Sequence, residues 1–165
     1  MDEDTATRLG GDRRRATGAE LRTVRESLAG SGIALDDERA TVVFLYPGLG
    51  VGENHPDLSG CTNQLLLLGA ARARLGRLGI AAYAASTEPQ ERHEHLTALR
   101  RAIAEVTPEA AARLPHVDRP EGRYLRRSTM FIGGPDHGLL IENIQDSVAH
   151  TNAVIEALVT ERPSD

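Results

Sequence analysis

The residue with the clearest capacity for chemistry is Cys61, the only cysteine in the 165-residue chain. It stands in the stretch HPDLSGCTNQLLLL, where the turn-forming residues end at Ser59 and Gly60 and a long apolar run begins. A cysteine at the start of a helix can have a lowered pKa, because the unpaired backbone N–H groups there favour an anion. The same groups can hold negative charge that develops on a substrate oxygen. Cysteine is also commonly a buried packing residue, so position alone leaves a nucleophile and a core side chain as alternatives.

The histidines are weaker candidates for chemistry. His55 lies six residues before Cys61, where it could act as a base or a substrate contact, although an exposed loop histidine explains it better. His93 and His95 are two residues apart, which points them to different sides of a helix and argues against a metal site. His150 is expected on the solvated face of the last helix. We therefore expect no metal ion.

Composition excludes several classes of function. The net charge is −5 and aromatic residues make up 3% of the chain, so neither a broad basic surface nor a base-stacking platform for nucleic acid is expected. The glycines of GLGVG lack the Gly-Lys-Ser/Thr ending of a phosphate-binding loop. No apolar run approaches the ~18–20 residues of a membrane span, and the acidic N-terminus is unlike a secretory signal. A single cysteine cannot form an internal disulfide, which favours the reducing cytoplasm.

The apolar pattern predicts a chain that alternates between helices and strands. The predicted helices are GAELRTVRESLAGSG, the stretch from Gly60 to Gly79, PQERHEHLTALRRAIAEV, TPEAAARL and DSVAHTNAVIEALV. The predicted strands are the buried runs ATVVFLYP and IAAYAAST, and the pair RSTMFIG and GLLIEN, which form a hairpin around GPDHG. Residues 1–17 are polar and charged and are predicted to be a flexible tail, which leaves one domain over residues 18–165.

The order of these elements predicts the fold class. A strand–helix–strand unit is followed by a hairpin and a final helix, which is the arrangement of the thioredoxin-like fold. We therefore expect an α/β domain with a central mixed β-sheet flanked by helices.

Several short motifs in this order resemble the peroxiredoxins, the alkyl hydroperoxide reductase and thiol-specific antioxidant family. In that family a strand ends in Tyr-Pro, a loop delivers Gly-Cys-Thr to the start of a helix, a Gln follows, and a second strand ends in Ser-Thr. The residues here that stand in those places are Tyr46-Pro47, Gly60-Cys61-Thr62, Gln64 and Ser86-Thr87.

The resemblance continues downstream and covers roughly residues 40–160. The segments LRRSTMFIG, GLLIEN and AHTNAVIEAL are similar to the family's arginine and strand, its hairpin and its C-terminal helix. Arg127, directly before Ser128 and Thr129, occupies the position of the arginine that flanks the reactive cysteine.

The resemblance implies a thiol peroxidase, an oxidoreductase that reduces hydrogen peroxide or organic hydroperoxides. The thiolate of Cys61 would attack one peroxide oxygen and become a sulfenic acid, with release of water or alcohol. Arg127 would stabilise the sulfur anion and polarise the peroxide, and Thr62 would be a secondary catalytic contact. The candidates for substrate binding are Ser59, Gly60, Pro47, Tyr46 and His55.

The same resemblance defines the expected partners. Because the chain has no second cysteine, the sulfenic acid would be reduced by an external thiol, either a low-molecular-weight thiol or a thioredoxin-like protein. No bound cofactor is implied, and a homodimer is expected. The four leucines from Leu65 to Leu68 occupy a whole turn of the predicted helix. They indicate that this helix is packed on two sides, or that it borders a dimer interface or an apolar substrate pocket.

The sequence departs from the family's pattern near the cysteine. The family commonly has a hydroxyl residue three positions before the cysteine, where this chain has Leu58, and the nearest hydroxyl is that of Ser59. The loop from Pro47 to Cys61 is also longer than the commonest form. An alternative is therefore a peroxiredoxin fold used for a tailoring step in biosynthesis or for binding an apolar small molecule. A regulatory or structural thioredoxin-like module is a third possibility.

Overall fold

The structure, a computed structural model, describes residues 9–99 and 101–160. A mixed β-sheet of six strands lies at the centre of this part of the chain. The strands are β1 (Asp12–Arg15), β2 (Ala40–Leu45), β3 (Ile80–Ser86), β4 (Ile103–Glu105), β5 (His116–Arg119), β6 (Gly122–Leu125), β7 (Ser128–Gly134) and β8 (His137–Glu142). The helices are α1 (Gly18–Gly30), α2 (Cys61–Arg77), α3 (Pro108–Ala111) and α4 (Ser147–Thr160). The order in the sheet is β1-β8-β7-β2-β3-β4, and β5 pairs with β6 in a separate hairpin. The predicted α/β architecture with a mixed sheet is confirmed.

Strand β2 lies inside the sheet because both of its faces are apolar. It pairs in parallel with β3 and antiparallel with β7. Alternate residues of a strand point to opposite faces. Val42 and Phe44 accordingly belong to one hydrophobic core, and Val43 and Leu45 belong to the core on the other side of the sheet. All four side chains are fully buried, as a strand covered on both faces requires.

Helices cover the two faces of the sheet. The first core contains the buried side chains of α2 and α4, namely Leu65, Leu68, Leu75 and Val154. The second core contains those of α1 and α3, namely Leu21, Val24, Leu28 and Ala111. The amphipathic spacing predicted for the first helix is confirmed, and a capping box between Thr17 and Glu20 fixes its start.

The prediction of a flexible tail over residues 1–17 is wrong where the structure describes that segment. Residues 12–15 form β1, an edge strand that pairs antiparallel with β8, and Leu9 is buried. Arg14 joins this strand to its neighbours, with hydrogen bonds to Glu20 at 2.7 Å and to Glu142 at 3.0 Å. Ion pairs and backbone pairing hold this strand in the sheet. Because its residues are polar and charged, the pattern of apolar residues could not predict it. Residues 1–8 lie outside the described residues.

The predicted helix over PQERHEHLTALRRAIAEV is also wrong. The segment forms two short 3-10 turns, Gln90–His93 and Thr97–Leu99, and then β4, which pairs in parallel with β3. Four of the five residues from Ala102 to Val106 are buried, with Glu105 as the exposed exception. That pattern fits a short strand at the edge of the sheet better than one face of a helix. Residue 100 lies outside the described residues.

The segment between α3 and β7, for which no helix or strand was predicted, contains the hairpin of β5 and β6. Its strands pair in register from His116 opposite Leu125 to Arg119 opposite Gly122, with Pro120 and Glu121 in the two-residue turn. The short helix α3, the hairpin of β7 and β8 and the C-terminal helix were all predicted correctly.

The four leucines of α2 have different surroundings. Leu65 and Leu68 are fully buried in the first core, Leu67 is half-buried, and 55% of the Leu66 side chain is exposed. The four leucines therefore do not require that other elements of the same chain pack against every side of α2.

We expect replacement of Leu65 and Leu66 by alanine to give very different losses of stability. Leu65→Ala should lower the free energy of unfolding by about 2–5 kcal/mol, because it leaves a cavity in a closely packed core. Leu66→Ala should change it by about 0.5 kcal/mol or less, because the side chain is exposed. Urea unfolding followed by circular dichroism measures both values. A large loss for Leu66→Ala would contradict the exposure of this residue and would indicate that a second chain covers it.

Candidate active site

Cys61 is the first residue of α2, where the unpaired N–H groups of the helix are concentrated. The chain reaches it from β2 through a loop that contains two 3-10 turns, Val51–Glu53 and Pro56–Leu58. Gly60 precedes the helix with φ of +100°, a left-handed conformation that glycine adopts without strain. The Cys61 side chain is only 3% exposed. The sulfur is thus held at a helix start, as expected, but almost entirely away from solvent.

Arg127 contacts the sulfur directly. Its Nη2 donates a hydrogen bond to the Sγ of Cys61 over 3.0 Å. Its Nε donates to the Oε1 of Gln64, at 3.3 Å, and Gln64 is fully buried one turn further along α2. Two residues of the same helix therefore orient one guanidinium group. The structure brings together the two residues that the sequence had singled out from distant parts of the chain.

The charge state of Cys61 depends on opposing effects. Burial raises the pKa of the Cys61 thiol above its ordinary value, and the charge of Glu88 raises it further. The charge of Arg127, a backbone hydrogen bond from Gly48 and the hydrogen bond from Arg127 all lower the pKa, but burial outweighs them. The lowered pKa expected from the helix start is therefore not found, since the sulfur is buried more deeply than a loop position suggests.

Leu58 contributes its backbone to the site. Its side chain is buried, and its carbonyl oxygen accepts a hydrogen bond from the Sγ of Cys61 over 3.7 Å. At the position where the peroxiredoxins commonly have a hydroxyl, this chain thus offers a carbonyl oxygen. That oxygen can accept a hydrogen bond from the thiol but cannot donate one to a substrate.

A cavity of about 300 Å³ reaches Cys61 from the surface. Of the predicted substrate contacts, Ser59 and Gly60 line this cavity, together with Cys61 and the predicted secondary catalytic contact Thr62. Its size suits a small molecule and leaves little room for a large one.

The other three predicted contacts do not line the cavity. Tyr46 is fully buried, and its hydroxyl is hydrogen-bonded to the Nε2 of His93 at 2.6 Å. Pro47 is buried directly after it. His55 is hydrogen-bonded to Glu121 in the turn between β5 and β6. These residues support the loop and are not placed to touch a molecule in the cavity.

The β5–β6 hairpin holds the loop that leads to Cys61, which the sequence did not indicate. Arg119 forms an ion pair with Asp57 at 2.6 Å, and His55 contacts both Glu121 and the ring of Tyr124. No strand was predicted in this segment, and residues 62 or more positions apart in sequence could not be paired without the structure.

Ser147, at the start of α4, supports the residue before the cysteine. Its Oγ donates a hydrogen bond to the carbonyl oxygen of Gly60 over 3.2 Å. The same Oγ lies 2.5 Å from the position where a Cβ on residue 60 would be. Glycine is therefore required at position 60 for two reasons, which are the left-handed backbone conformation and the close approach of Ser147. The sequence carried no signal for this contact.

His150 is buried behind the site, which corrects the expectation of a solvated side chain. It is 2% exposed; its Nδ1 donates to the carbonyl oxygen of Leu9 over 2.5 Å, and its Nε2 accepts from the hydroxyl of Thr129 at 2.8 Å. Burial lowers the pKa of His150, which keeps the ring neutral and agrees with one donor and one acceptor nitrogen. This contact ties the N-terminal segment to α4.

The described residues contain neither a metal cluster nor a membrane span. Within residues 9–99 and 101–160, no three side chains of His, Cys, Asp or Glu gather closely enough to hold a metal ion. The helices in this part of the chain are too short or too polar to cross a membrane.

Comparison with known proteins defines the fold. No family model matches the sequence, and the search of curated proteins found no match. Among solved structures, the chain is similar to peroxidoxin BcpB of Mycobacterium tuberculosis, with a TM-score of 0.53 and 17% identity over 75% of this chain and 80% of that chain. It is similar to PrxQ of Xylella fastidiosa, with a TM-score of 0.53 and 16% identity over 75% and 78% of the two chains.

A third similar structure is the bacterioferritin comigratory protein of Xanthomonas campestris, described for its reduction of alkyl peroxides. Its TM-score is 0.53, with 16% identity over 76% of this chain and 80% of that chain. These similarities identify the class of fold as thioredoxin-like, with a mixed sheet flanked by helices. More specifically, the chain has the fold of the peroxiredoxins, as the motifs around Cys61 had predicted.

We expect Arg127→Gln to raise the pKa of the Cys61 thiol further, because it removes the cation that stabilises the thiolate. The pH dependence of alkylation by iodoacetamide reports this pKa, and its midpoint should move to higher pH. Arg126→Gln is the matched control, because Arg126 is exposed and its Nε donates to the carbonyl oxygen of His116. Equal midpoints in the two variants would show that Arg127 does not stabilise the thiolate.

Gly60→Ala should lower the free energy of unfolding by about 1–3 kcal/mol, because the new Cβ would strain the backbone and collide with Ser147. Gly50→Ala is the control in the same loop, since nothing lies within 4 Å of a Cβ at that position. Thermal unfolding of the two variants measures the difference. Similar melting temperatures would mean that the start of α2 can move away from α4.

Proposed function

We propose that this protein is a one-cysteine thiol peroxidase that reduces hydrogen peroxide or an organic hydroperoxide. The observation that carries the proposal is the hydrogen bond of 3.0 Å from Arg127 to the sulfur of Cys61 at the start of α2. Cys61 lines a small cavity, and the similarity of the chain to peroxiredoxin structures supports the proposal. A cysteine that served only for packing would have no need of a guanidinium group held against it.

The proposed reaction follows from the chemistry of the sulfur. The thiolate of Cys61 attacks one peroxide oxygen, an S–O bond forms and the O–O bond breaks. The electron pair leaves on the second oxygen, which departs as water or alcohol after protonation. Arg127 and the N–H groups at the start of α2 stabilise negative charge on the sulfur and on the peroxide oxygens. Thr62, Ser59 and Gly60 line the cavity and provide secondary contacts.

Regeneration requires a thiol from outside the chain. A first thiol condenses with the sulfenic acid of Cys61 to give a mixed disulfide and water, and a second thiol then releases Cys61. The cavity of about 300 Å³ favours a low-molecular-weight thiol over a thioredoxin-like protein as this reductant. The reaction needs no bound cofactor. A free cysteine also suits a reducing compartment, so the proposal places the protein in the cytoplasm, as a homodimer.

A second candidate function is a biosynthetic tailoring step, or the binding of a small molecule, without peroxidase activity. Two observations favour it. Burial raises the pKa of the Cys61 thiol, which lowers the fraction of thiolate at neutral pH, and the position of Leu58 has no side-chain hydroxyl to bind a peroxide.

Stopped-flow oxidation by stoichiometric hydrogen peroxide or an organic hydroperoxide separates the two candidates. We expect Cys61 to be oxidised orders of magnitude faster than free cysteine, with a sulfenic acid that a dimedone-type reagent traps. Cys61→Ser should abolish both signals. A rate no better than that of free cysteine would rule out the peroxidase, and rapid reaction with other electrophiles would then favour the second candidate.

A further inference from the structure

The wall of the cavity at Cys61 has a polar mouth. The cavity runs from the buried sulfur, whose residue is 3% exposed, to side chains that are exposed to solvent. Among the described residues of the wall, Leu49 is the only large apolar side chain, and it is half-buried against the first core. The exposed side chains of the wall are all polar: Glu53, Ser59, Thr62 and Asn63. A long hydrocarbon substituent therefore finds little apolar surface here.

Glu53 is the charged side chain at this mouth. Of the lining residues in the described part of the chain, no other is an aspartate, glutamate, arginine or histidine. Glu53 is the last residue of the 3-10 turn that begins at Val51, and its backbone N–H donates to the carbonyl oxygen of Gly50 over 3.4 Å. Val51 is buried and anchors the turn, while the carboxylate of Glu53 is exposed.

Close packing holds the turn of Glu53 beside the start of α2. A Cβ on Gly52 would lie 2.8 Å from both the Cα and the Cβ of Ser59, which is closer than carbon atoms approach without a bond. Glycine at position 52 therefore lets the two 3-10 turns of the loop touch. Glu53 follows Gly52 directly and Ser59 precedes Cys61 by two residues, so the backbone of Glu53 has a fixed place in the cavity wall.

The cation and the carboxylate of the site lie at different depths. Arg127 donates to the buried sulfur over 3.0 Å and does not line the cavity, whereas Glu53 lines it and is exposed. The peroxide group of a substrate must reach the sulfur. Since the cavity holds about 300 Å³, the remainder of a larger hydroperoxide stays at the mouth. A negative charge on that remainder meets the like charge of Glu53.

The charges around the loop do not offset that of Glu53. Glu88 places a second carboxylate on the loop, because its Oε1 accepts a hydrogen bond from the backbone N–H of Gly50 over 3.4 Å. Arg119 brings a cation to the loop, but it forms an ion pair with Asp57 at 2.6 Å. The net charge of the whole chain is −5. An anionic substrate is therefore disfavoured both at the mouth and at longer range.

We propose that Glu53 makes this protein selective for hydroperoxides that carry no negative charge, an inference that rests on the proposed function. Hydrogen peroxide and neutral alkyl hydroperoxides reach Cys61 without electrostatic repulsion at the mouth. A hydroperoxide that carries a carboxylate brings it beside Glu53, which slows its entry. Glu53 takes no part in the bonds that form and break, so it determines specificity and not the chemical step.

Two derivatives of cumene hydroperoxide test the effect of charge at constant size. One carries a para-carboxamide and the other a para-carboxylate, and both react through the same peroxide group. We expect wild-type Cys61 to be oxidised faster by the carboxamide. Glu53→Gln should raise the ratio of the carboxylate rate to the carboxamide rate by about two- to fivefold, and Glu53→Lys should raise it further. Quenched-flow measurement of the remaining Cys61 thiol gives each second-order rate constant.

Glu26→Gln is the matched control. Glu26 is exposed on α1, which packs in the second core, on the face of the sheet opposite to Cys61. This variant changes the net charge by the same amount and should leave the ratio within about 1.5-fold of wild type. High salt should reduce the difference between wild type and Glu53→Gln, because ions screen exposed charges. Thermal unfolding checks that the variants are folded.

The outcomes distinguish this inference from the proposed function. Fast oxidation of the wild type with equal ratios in wild type and Glu53→Gln overturns the role of Glu53 and leaves the peroxidase intact. An equal rise of the ratio in Glu26→Gln and Glu53→Gln would assign the effect to net charge, which also overturns the role of Glu53. Slow oxidation of the wild type by both derivatives and by hydrogen peroxide overturns the peroxidase itself, and the selectivity with it.

Discussion

The hydrogen bond from Arg127 to the sulfur of Cys61 depends on the register of three strands. Leu45, the last residue of β2, pairs with Ser128 at the start of β7, so Arg127 lies beside the chain that leaves β2. Ala85 of β3 pairs with Leu45 in parallel, which brings the chain that leaves β3 to the same edge of the sheet. A shift of one residue would turn every side chain to the opposite face. Because apolar residues fill both faces of β2, the two cores fix this register and so fix the site.

Burial of the sulfur affects the site in two opposite ways. Exclusion of water strengthens the interaction between a thiolate and Arg127, because the local dielectric constant is lower than that of water. The same exclusion disfavours the charged form of the sulfur when no substrate is present. With burial as the larger effect on the pKa, the resting state is a protected thiol that accepts a hydrogen bond from Arg127 and donates one to the carbonyl oxygen of Leu58.

Structural elements that depend on contiguous residues could be predicted from the sequence. Strands and contacts that depend on sheet register and tertiary packing could not. The apolar runs of β2 and β3, the helix that begins at Cys61 and the β7–β8 hairpin are set locally, and all four were predicted. Arg127 was found through the order of family motifs. Strand β1 was missed because Asp12–Arg15 has no apolar alternation, and its pairing partner lies more than 120 residues away. Ser147 acquires its role only because the start of α4 reaches the loop before Cys61.

The absence of a hydroxyl at Leu58 is consistent with peroxidase chemistry once the donors in the site are considered. The hydroxyl of Ser147 already donates to the carbonyl oxygen of Gly60, and the carbonyl of Leu58 can only accept. In the proposed reaction, the donors for a peroxide oxygen would be Arg127 and the backbone N–H groups at the start of α2, with the hydroxyls of Ser59 and Thr62 as secondary contacts. Those donors would stabilise charge that grows as the O–O bond breaks, which is the interaction that lowers a reaction barrier. A side-chain hydroxyl would add binding to this site, but the developing charge already has its partners.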